Sequence, residues 1–192
     1  MSHSWIDLFL KTQQGHLFVY VNEDFIRENA SNPVISGQFP DIQRILNLIL
    51  SKDIEEITPD ELQKEAEIVY GIIHQKFLLT EQGRLLMIER QKSGNFPKCP
   101  RVFCRDFTCV PYGTTNELKK DAVKMFCPNC TDVYNYECSC QIDGAYFGPD
   151  WVHYLMNEHP EVAPSEPPES YTPHVFGFNV YLPSNAPPSS TH

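Results

Sequence analysis

The chain has 192 residues, 41 % of them hydrophobic, enough to bury a core in one domain or two small ones. Lysine and arginine number 15 against 25 carboxylates, for a net charge of −10, and no lysine or arginine follows Lys124, so the cationic face that neutralises phosphates in nucleic-acid binders is missing. No run approaches the roughly eighteen apolar residues of a membrane span, and the N-terminus lacks a secretory pattern, so an intracellular protein with no membrane or nucleic-acid partner is expected.

In chain order, residues 4 to 11 place Trp5, Leu8 and Phe9 on one side of a short helix that ends before Gly15. The β-branched, alternating run from His16 to Val21 predicts a strand or an extended segment, and Asn22 or Asp24 opens another helical turn. Asn32-Pro33 and Ser36-Gly37 are breaks. From Asp41, the spacing of Ile42, Ile45, Leu46 and Ile49 predicts an amphipathic helix. Thr58-Pro59-Asp60-Glu61 supplies a cap, a proline for the first helical position and a glutamate for a capping box. A long helix follows, with Leu62, Ala66, Val69, Tyr70, Ile73 and Phe77 on its apolar side. After a break near Thr80 the periodicity resumes through Leu85, Leu86 and Ile88 until Ser93-Gly94.

The next stretch carries the strongest chemical signal. Cys99 and Cys104 bracket P-R-V-F, twenty-two residues intervene, and Cys127 and Cys130 bracket P-N. Two close cysteine pairs suit one closed, tetrahedral, structural zinc site, since short loops let both sulfurs of a pair face one point. The alternative is ordinary buried thiols. Pro111-Tyr112-Gly113 and the run from Ala122 to Phe126 fit a hairpin whose last strand delivers Cys127, which makes a zinc ribbon. Cys109, Cys138 and Cys140 remain. Nothing supplies two more close ligands for Cys138 and Cys140, so they read as unliganded, and an odd total of seven fits a reducing compartment.

Pro149-Asp150 starts a helix carrying Trp151, Tyr154 and Leu155, which Pro160 ends; His153 and His159 beside it read as packing or surface residues because four cysteines already satisfy zinc. Glu161 to Pro173 reads as an extended connector. Beyond it, Val175 to Tyr181 is apolar and β-prone, either a docking element or an edge strand on its own domain, and the last residues read as disordered. The expected fold class is α+β: a mainly helical N-terminal domain (1–95), a zinc ribbon with a small antiparallel sheet (96–160), and a connector, extended C-terminal arm and tail (161–192). No glycine-rich phosphate loop, V-A-I-K lysine or H-R-D segment occurs, four thiolates would leave no open place on a zinc ion, and no catalytic residue is assigned.

The strings CPRVFC at 99–104, CPNCTDVY at 127–134 and DGAYFG at 143–148 closely resemble the regulatory (beta) subunit of casein kinase II. Ser4-Trp5-Ile6, Asn22 to Ile26, Tyr70 to His74 and Phe176-Gly177-Phe178 extend the resemblance over about residues 1–181. It implies a non-catalytic subunit that forms a zinc-dependent homodimer and binds and modulates the catalytic alpha subunit, two plus two, in the cytoplasm or nucleus. The implied zinc ligands are Cys99, Cys104, Cys127 and Cys130. Pro100, Val102, Val133 and Tyr134 fall in the implied ribbon-to-ribbon contact, and Phe176 and Phe178 on a hairpin that inserts aromatics into the kinase.

Departures are visible. The family's basic residues near that arm become Pro164-Ser165-Glu166, His174 and Asn179, and its acidic loop is diluted to Asp53, Glu55, Glu56, Asp60 and Glu61. Of the family's N-terminal phosphorylated serines only Ser4, three residues before Asp7, keeps an acid-directed pattern, and the same spacing is a helix cap. These departures point to a diverged paralogue. A dimerising zinc-ribbon adaptor that has lost kinase binding is the alternative reading.

Overall fold

The computed structural model describes residues 4–31, 33–52, 59–164, 166, 168–169 and 171–180. Its fold is α+β. Helix α1 (Trp5–Leu10) is capped by Ser4, whose Oγ accepts from the Asp7 N–H at 3.2 Å. Trp5, Ile6 and Phe9 are buried, while Leu8, expected on the inner face, is exposed. Of the run from His16 to Val21, His16 and Leu17 fall in a 3-10 turn (Gly15–Leu17), and residues 18 to 21 are extended, one of the two sequence readings, without joining a strand. Side chains replace a sheet partner: the Val19 N–H donates to His74 Nε2 at 3.2 Å, the Val21 N–H to the Tyr70 hydroxyl at 3.1 Å, and that hydroxyl donates to the Val19 carbonyl at 2.9 Å. Arg90 holds the carbonyls of His16 and Phe18. A buried segment can therefore stay extended with its polar groups satisfied.

Asn22 caps α2 (Glu23–Ala30), accepting from the Phe25 N–H at 2.8 Å. Where Pro33 and Ser36-Gly37 predict a break, a short helix α3 (Pro33–Gln38) forms, because proline starts a helix as readily as it ends one. Helix α4 (Ile42–Ile49) buries Ile45 and Ile49 as the periodicity predicts. Helix α5 (Asp60–Leu78) is central and packs against α2, α4, α6 and the turn at Gly144–Tyr146. Pro59 is its cap rather than its first residue, and Thr58 lies outside the described residues, as do Asp53, Glu55 and Glu56.

Thr80 caps α6 (Glu81–Lys92). This helix turns inward differently from its apolar pattern: Met87 and Ile88 are buried with Arg84 and Gln91, while Leu85 is 48 % exposed. Arg84 explains the rotation. Its guanidinium donates to the Leu79 carbonyl and to Glu158, and lies 5.6 Å from the centre of the Tyr154 ring. Tyr154 stays exposed on α7 (Trp151–Glu158), covering that cation, while Trp151, Val152 and Leu155 are buried.

After α6 comes a three-stranded antiparallel sheet, β1 (Val110–Tyr112), β2 (Lys124–Phe126) and β3 (Val133–Asn135), in the order β1-β2-β3. The predicted hairpin is β1-β2. Gly113, at its turn, lies so close to Gly144 that a Cβ there would sit 1.9 Å from the Gly144 carbonyl oxygen. The buried side chains of the helices and of the ribbon form one apolar cluster. At its centre Trp5 stacks on Phe9 with ring centroids 5.1 Å apart, and Phe18 meets Phe9, His74 and Phe147. No helix among the described residues is long and apolar enough to cross a membrane.

Candidate metal centre and docking surfaces

Two knuckles deliver the four cysteines to one place. In the first, Cys99 follows a bridge between Lys98 and Thr108, and a 3-10 turn at Val102–Cys104 brings Cys104 back beneath it. Arg105 and Asp106 take left-handed backbone (φ 51° and 57°), reversing the chain so that the Cys99 N–H reaches the Phe107 carbonyl at 2.8 Å. In the second, β2 ends at Phe126 and Cys127 follows. The Thr131 N–H donates to the Cys127 carbonyl at 2.8 Å, with Thr131 itself left-handed (φ 57°). Non-glycine residues adopt this conformation only where surrounding structure enforces it.

The sulfurs of Cys99, Cys104, Cys127 and Cys130 consequently lie within 4.8 Å of one another, and the first three residues are buried. Cys99 Sγ and Cys130 Sγ stand 3.9 Å apart, and all four cysteines are free thiols rather than disulfide halves. Their protonation reflects crowding. Burial, aided by the neighbouring thiols, pushes Cys104 up. Hydrogen bonding with Cys109, then burial, pushes Cys127 up, and burial raises Cys99. Only Cys130 is brought down, to about 7: burial opposes this, but the Tyr134 hydroxyl and the Asp132 N–H favour its thiolate. Four thiols this close ionise together only when a cation offsets their mutual repulsion, so this donor set can hold a soft metal ion.

Two contributors escaped the sequence reading. Cys109 is buried against Cys127, and the Tyr134 hydroxyl lies 3.2 Å from Cys130 Sγ, which gives Tyr134 a role at the sulfur cluster itself. The spacing of four residues after Cys130 was legible in the sequence, but Tyr134 reaches the sulfur only because β3 pairs with β2 and sets it opposite Met125.

The other sequence-predicted residues are displayed on surfaces. Around the knuckles, Val102 is 84 % exposed, Pro100 and Val133 are exposed, and Tyr134 is half-buried. At the far end of the chain, β4 (His174–Val175) pairs with β5 (Phe178–Asn179) in a two-residue hairpin. Phe176 and Gly177 form its turn with φ of 51° and 82°, the twist that suits a tight antiparallel return. Phe176 is 97 % and Phe178 76 % exposed. Between hairpin and ribbon, Glu169 pairs with Arg105 and the Tyr171 ring lies 6.4 Å from that of Phe103. Ser4 serves as the α1 cap. His153 is exposed, and His159 bonds Glu161 at 3.3 Å.

A helical layer on a three-stranded ribbon with a tetrathiol knuckle pair defines the class: a helix-plus-ribbon protein with a cysteine cluster able to hold a metal ion. The chain belongs to the casein kinase II regulatory subunit family, whose model matches residues 4–179. It is 37 % identical to casein kinase II subunit beta of Schizosaccharomyces pombe over 185 residues, covering 94 % of this chain and 80 % of that protein. Against casein kinase II subunit beta of Dictyostelium discoideum the identity is 33 % over 184 residues (93 % and 69 %), and against subunit beta' of Drosophila melanogaster 31 % over 184 residues (93 % and 84 %). The chain is accordingly a non-catalytic, regulatory one.

Proposed function

We propose that this chain is a zinc-dependent homodimeric regulatory subunit that binds and modulates the catalytic alpha subunit of casein kinase II, two plus two. The observation that carries the docking part is the hairpin tip. Two phenylalanines are held in water by a turn whose non-glycine residue, Phe176, sits in left-handed backbone. Exposed aromatics on a tight turn commonly anchor interfaces, where truncation costs about 2 kcal/mol or more.

Zinc is the proposed ion. Four sulfurs each about 2.3 Å from a tetrahedral centre stand about 3.8 Å apart, which matches the 3.9 Å between Cys99 Sγ and Cys130 Sγ. One ion per chain would be held by Cys99, Cys104, Cys127 and Cys130 in a closed sphere, lending the ribbon its stability and leaving no place for a reacting water. Pro100, Val102, Val133 and Tyr134 are the proposed homodimer contact, Ser4 a possible phosphosite, and the divisions near 95 and 160 the proposed domain boundaries. Free thiols of this kind persist in a reducing compartment, cytoplasm or nucleus.

The adaptor reading, dimer formation without kinase binding, is favoured by one feature: His174 and Asn179 occupy hairpin positions where a basic residue would add charge attraction to a partner. Native mass spectrometry with and without a casein kinase II alpha subunit separates the two. The regulatory reading expects a two-plus-two complex that the double variant Phe176→Ala, Phe178→Ala loses by tenfold or more in affinity. A wild-type dimer that ignores the kinase establishes the adaptor instead.

A further inference from the structure

Three cysteines stand outside the metal cluster. Cys109 is buried, but Cys138 and Cys140 are half-buried and separated only by Ser139. The chain bends at 139–140, so the Cys140 N–H donates to Cys138 Sγ at 3.3 Å. Around the pair, the Cys140 thiol donates to the Gln13 carbonyl at 3.3 Å, Gln13 Nε2 donates to Ser139 Oγ, and His16 Nε2 bonds the Tyr136 hydroxyl at 2.9 Å. The segment is thus latched, through its own thiol, to the loop that follows α1.

We propose that Cys138 and Cys140 form an oxidisable dithiol, a modification site for hydroperoxides in which Cys138 is oxidised first and Cys140 closes an intrachain disulfide. Three features support it. Two Cα atoms two residues apart across a bend fall within the roughly 4.4–6.8 Å that a disulfide spans. The Cys140 thiol, whose single S–H turns between Cys138 and the Gln13 carbonyl, then the Cys140 N–H, Tyr136 and Ser139 hold Cys138 below the ordinary thiol range despite some burial. Burial and then Cys138 push Cys140 up to about 11, so it remains the protonated partner. A thiolate beside a protonated thiol is the arrangement of an attacking and a resolving cysteine.

The chemistry balances with peroxide as oxidant. The Cys138 sulfur attacks one peroxide oxygen, the O–O bond breaks, and the departing hydroxide takes a proton to leave water and a sulfenic acid. The Cys140 sulfur then gives up its proton and attacks the Cys138 sulfur, the S–O bond breaks, and a second water leaves. The two sulfurs surrender two electrons and become a disulfide, and the S–H bond to Gln13 disappears with them.

The sequence offers a clean readout. No lysine or arginine lies beyond Lys124, but cleavage after Glu137 and Glu158 isolates residues 138–158, which contain Cys138 and Cys140 and no other cysteine. Reduced full-length protein is treated with equimolar hydrogen peroxide, its free thiols are alkylated, and the digest is weighed. The expected peptide carries neither alkyl group and takes two after dithiothreitol followed by a second alkylation. Cys140→Ser should stop at a sulfenic acid that dimedone traps, and Cys138→Ser should keep Cys140 fully alkylated. A wild-type peptide alkylated at both positions while other cysteines oxidise overturns the proposal, as does loss of the Cys140 label in Cys138→Ser. Thermal melts check that the variants fold; if one does not, the wild-type digest decides alone.

Discussion

His74 shows how much one buried side chain can carry. Its ring is fully buried on α5, accepts from the Val19 N–H through Nε2, and bonds the Tyr146 carbonyl at 3.0 Å through Nδ1. An acceptor on one nitrogen and a donor on the other require the neutral ring. Burial is the main reason its pKa falls from 6.5 to about 4; Arg90 pushes the same way and the Tyr146 carbonyl opposes. Unfolded chains therefore take up this proton near pH 6.5 while folded ones refuse it until about pH 4. The stabilisation is complete above pH 6.5 and drains as the pH falls toward 4, with a slope approaching about 1.4 kcal/mol per pH unit and a total of about 3 kcal/mol. Denaturant melts between pH 7 and 5 should show that slope in the wild-type protein and a shallower one in His74→Gln. Equal slopes would mean that other groups govern the acid limb.

Among the elements, the ribbon's turn is held by a distance rather than by a conformation. A Cβ on Gly113 would lie 1.9 Å from the Gly144 oxygen and 2.6 Å from its carbon, both backbone atoms that cannot swing aside. Gly113→Ala should cost at least about 2 kcal/mol and lower the melting temperature by several degrees. A Gly113→Ala melt within a degree of wild type would show that the hairpin can shift away from Gly144. What sequence could reveal at this scale follows from how local the cause is. Cysteine spacing, the Asn22 cap, the break near Thr80 and the stripe of Ile45 and Ile49 are local, and all are found where expected, though the capping role of Thr80 went unread. Leu85 and Tyr154 misled because Arg84, meeting Glu158, 74 residues away, takes the inward face of α6 and lies under the Tyr154 ring. Strand β3 went unread for the same reason: three residues with mostly outward side chains become a strand only because β2 is there to pair with them.

At the scale of the whole molecule, the cysteine knuckles and the connector that leads to the C-terminal hairpin are tied by Arg105–Glu169 and Phe103–Tyr171. On the proposed reading, assembly is conditional on the metal, since Val102 lies in the turn between Cys99 and Cys104 and Val133 opens strand β3 just after Cys130. Two variants separate the rim from the ion. Cys104→Ser should lose zinc and dimer together, because structural zinc supplies roughly 10–16 kcal/mol to small ribbon-like folds. Val102→Glu, at a position 84 % exposed, should keep one zinc per chain and its melting temperature at low concentration while becoming a monomer, because it places two like charges in an apolar contact. Sedimentation velocity with zinc quantified on the same samples reads both quantities. A Val102→Glu protein that stays dimeric would move the interface off the ribbon rim, and a zinc-free Cys104→Ser dimer would uncouple assembly from the metal altogether.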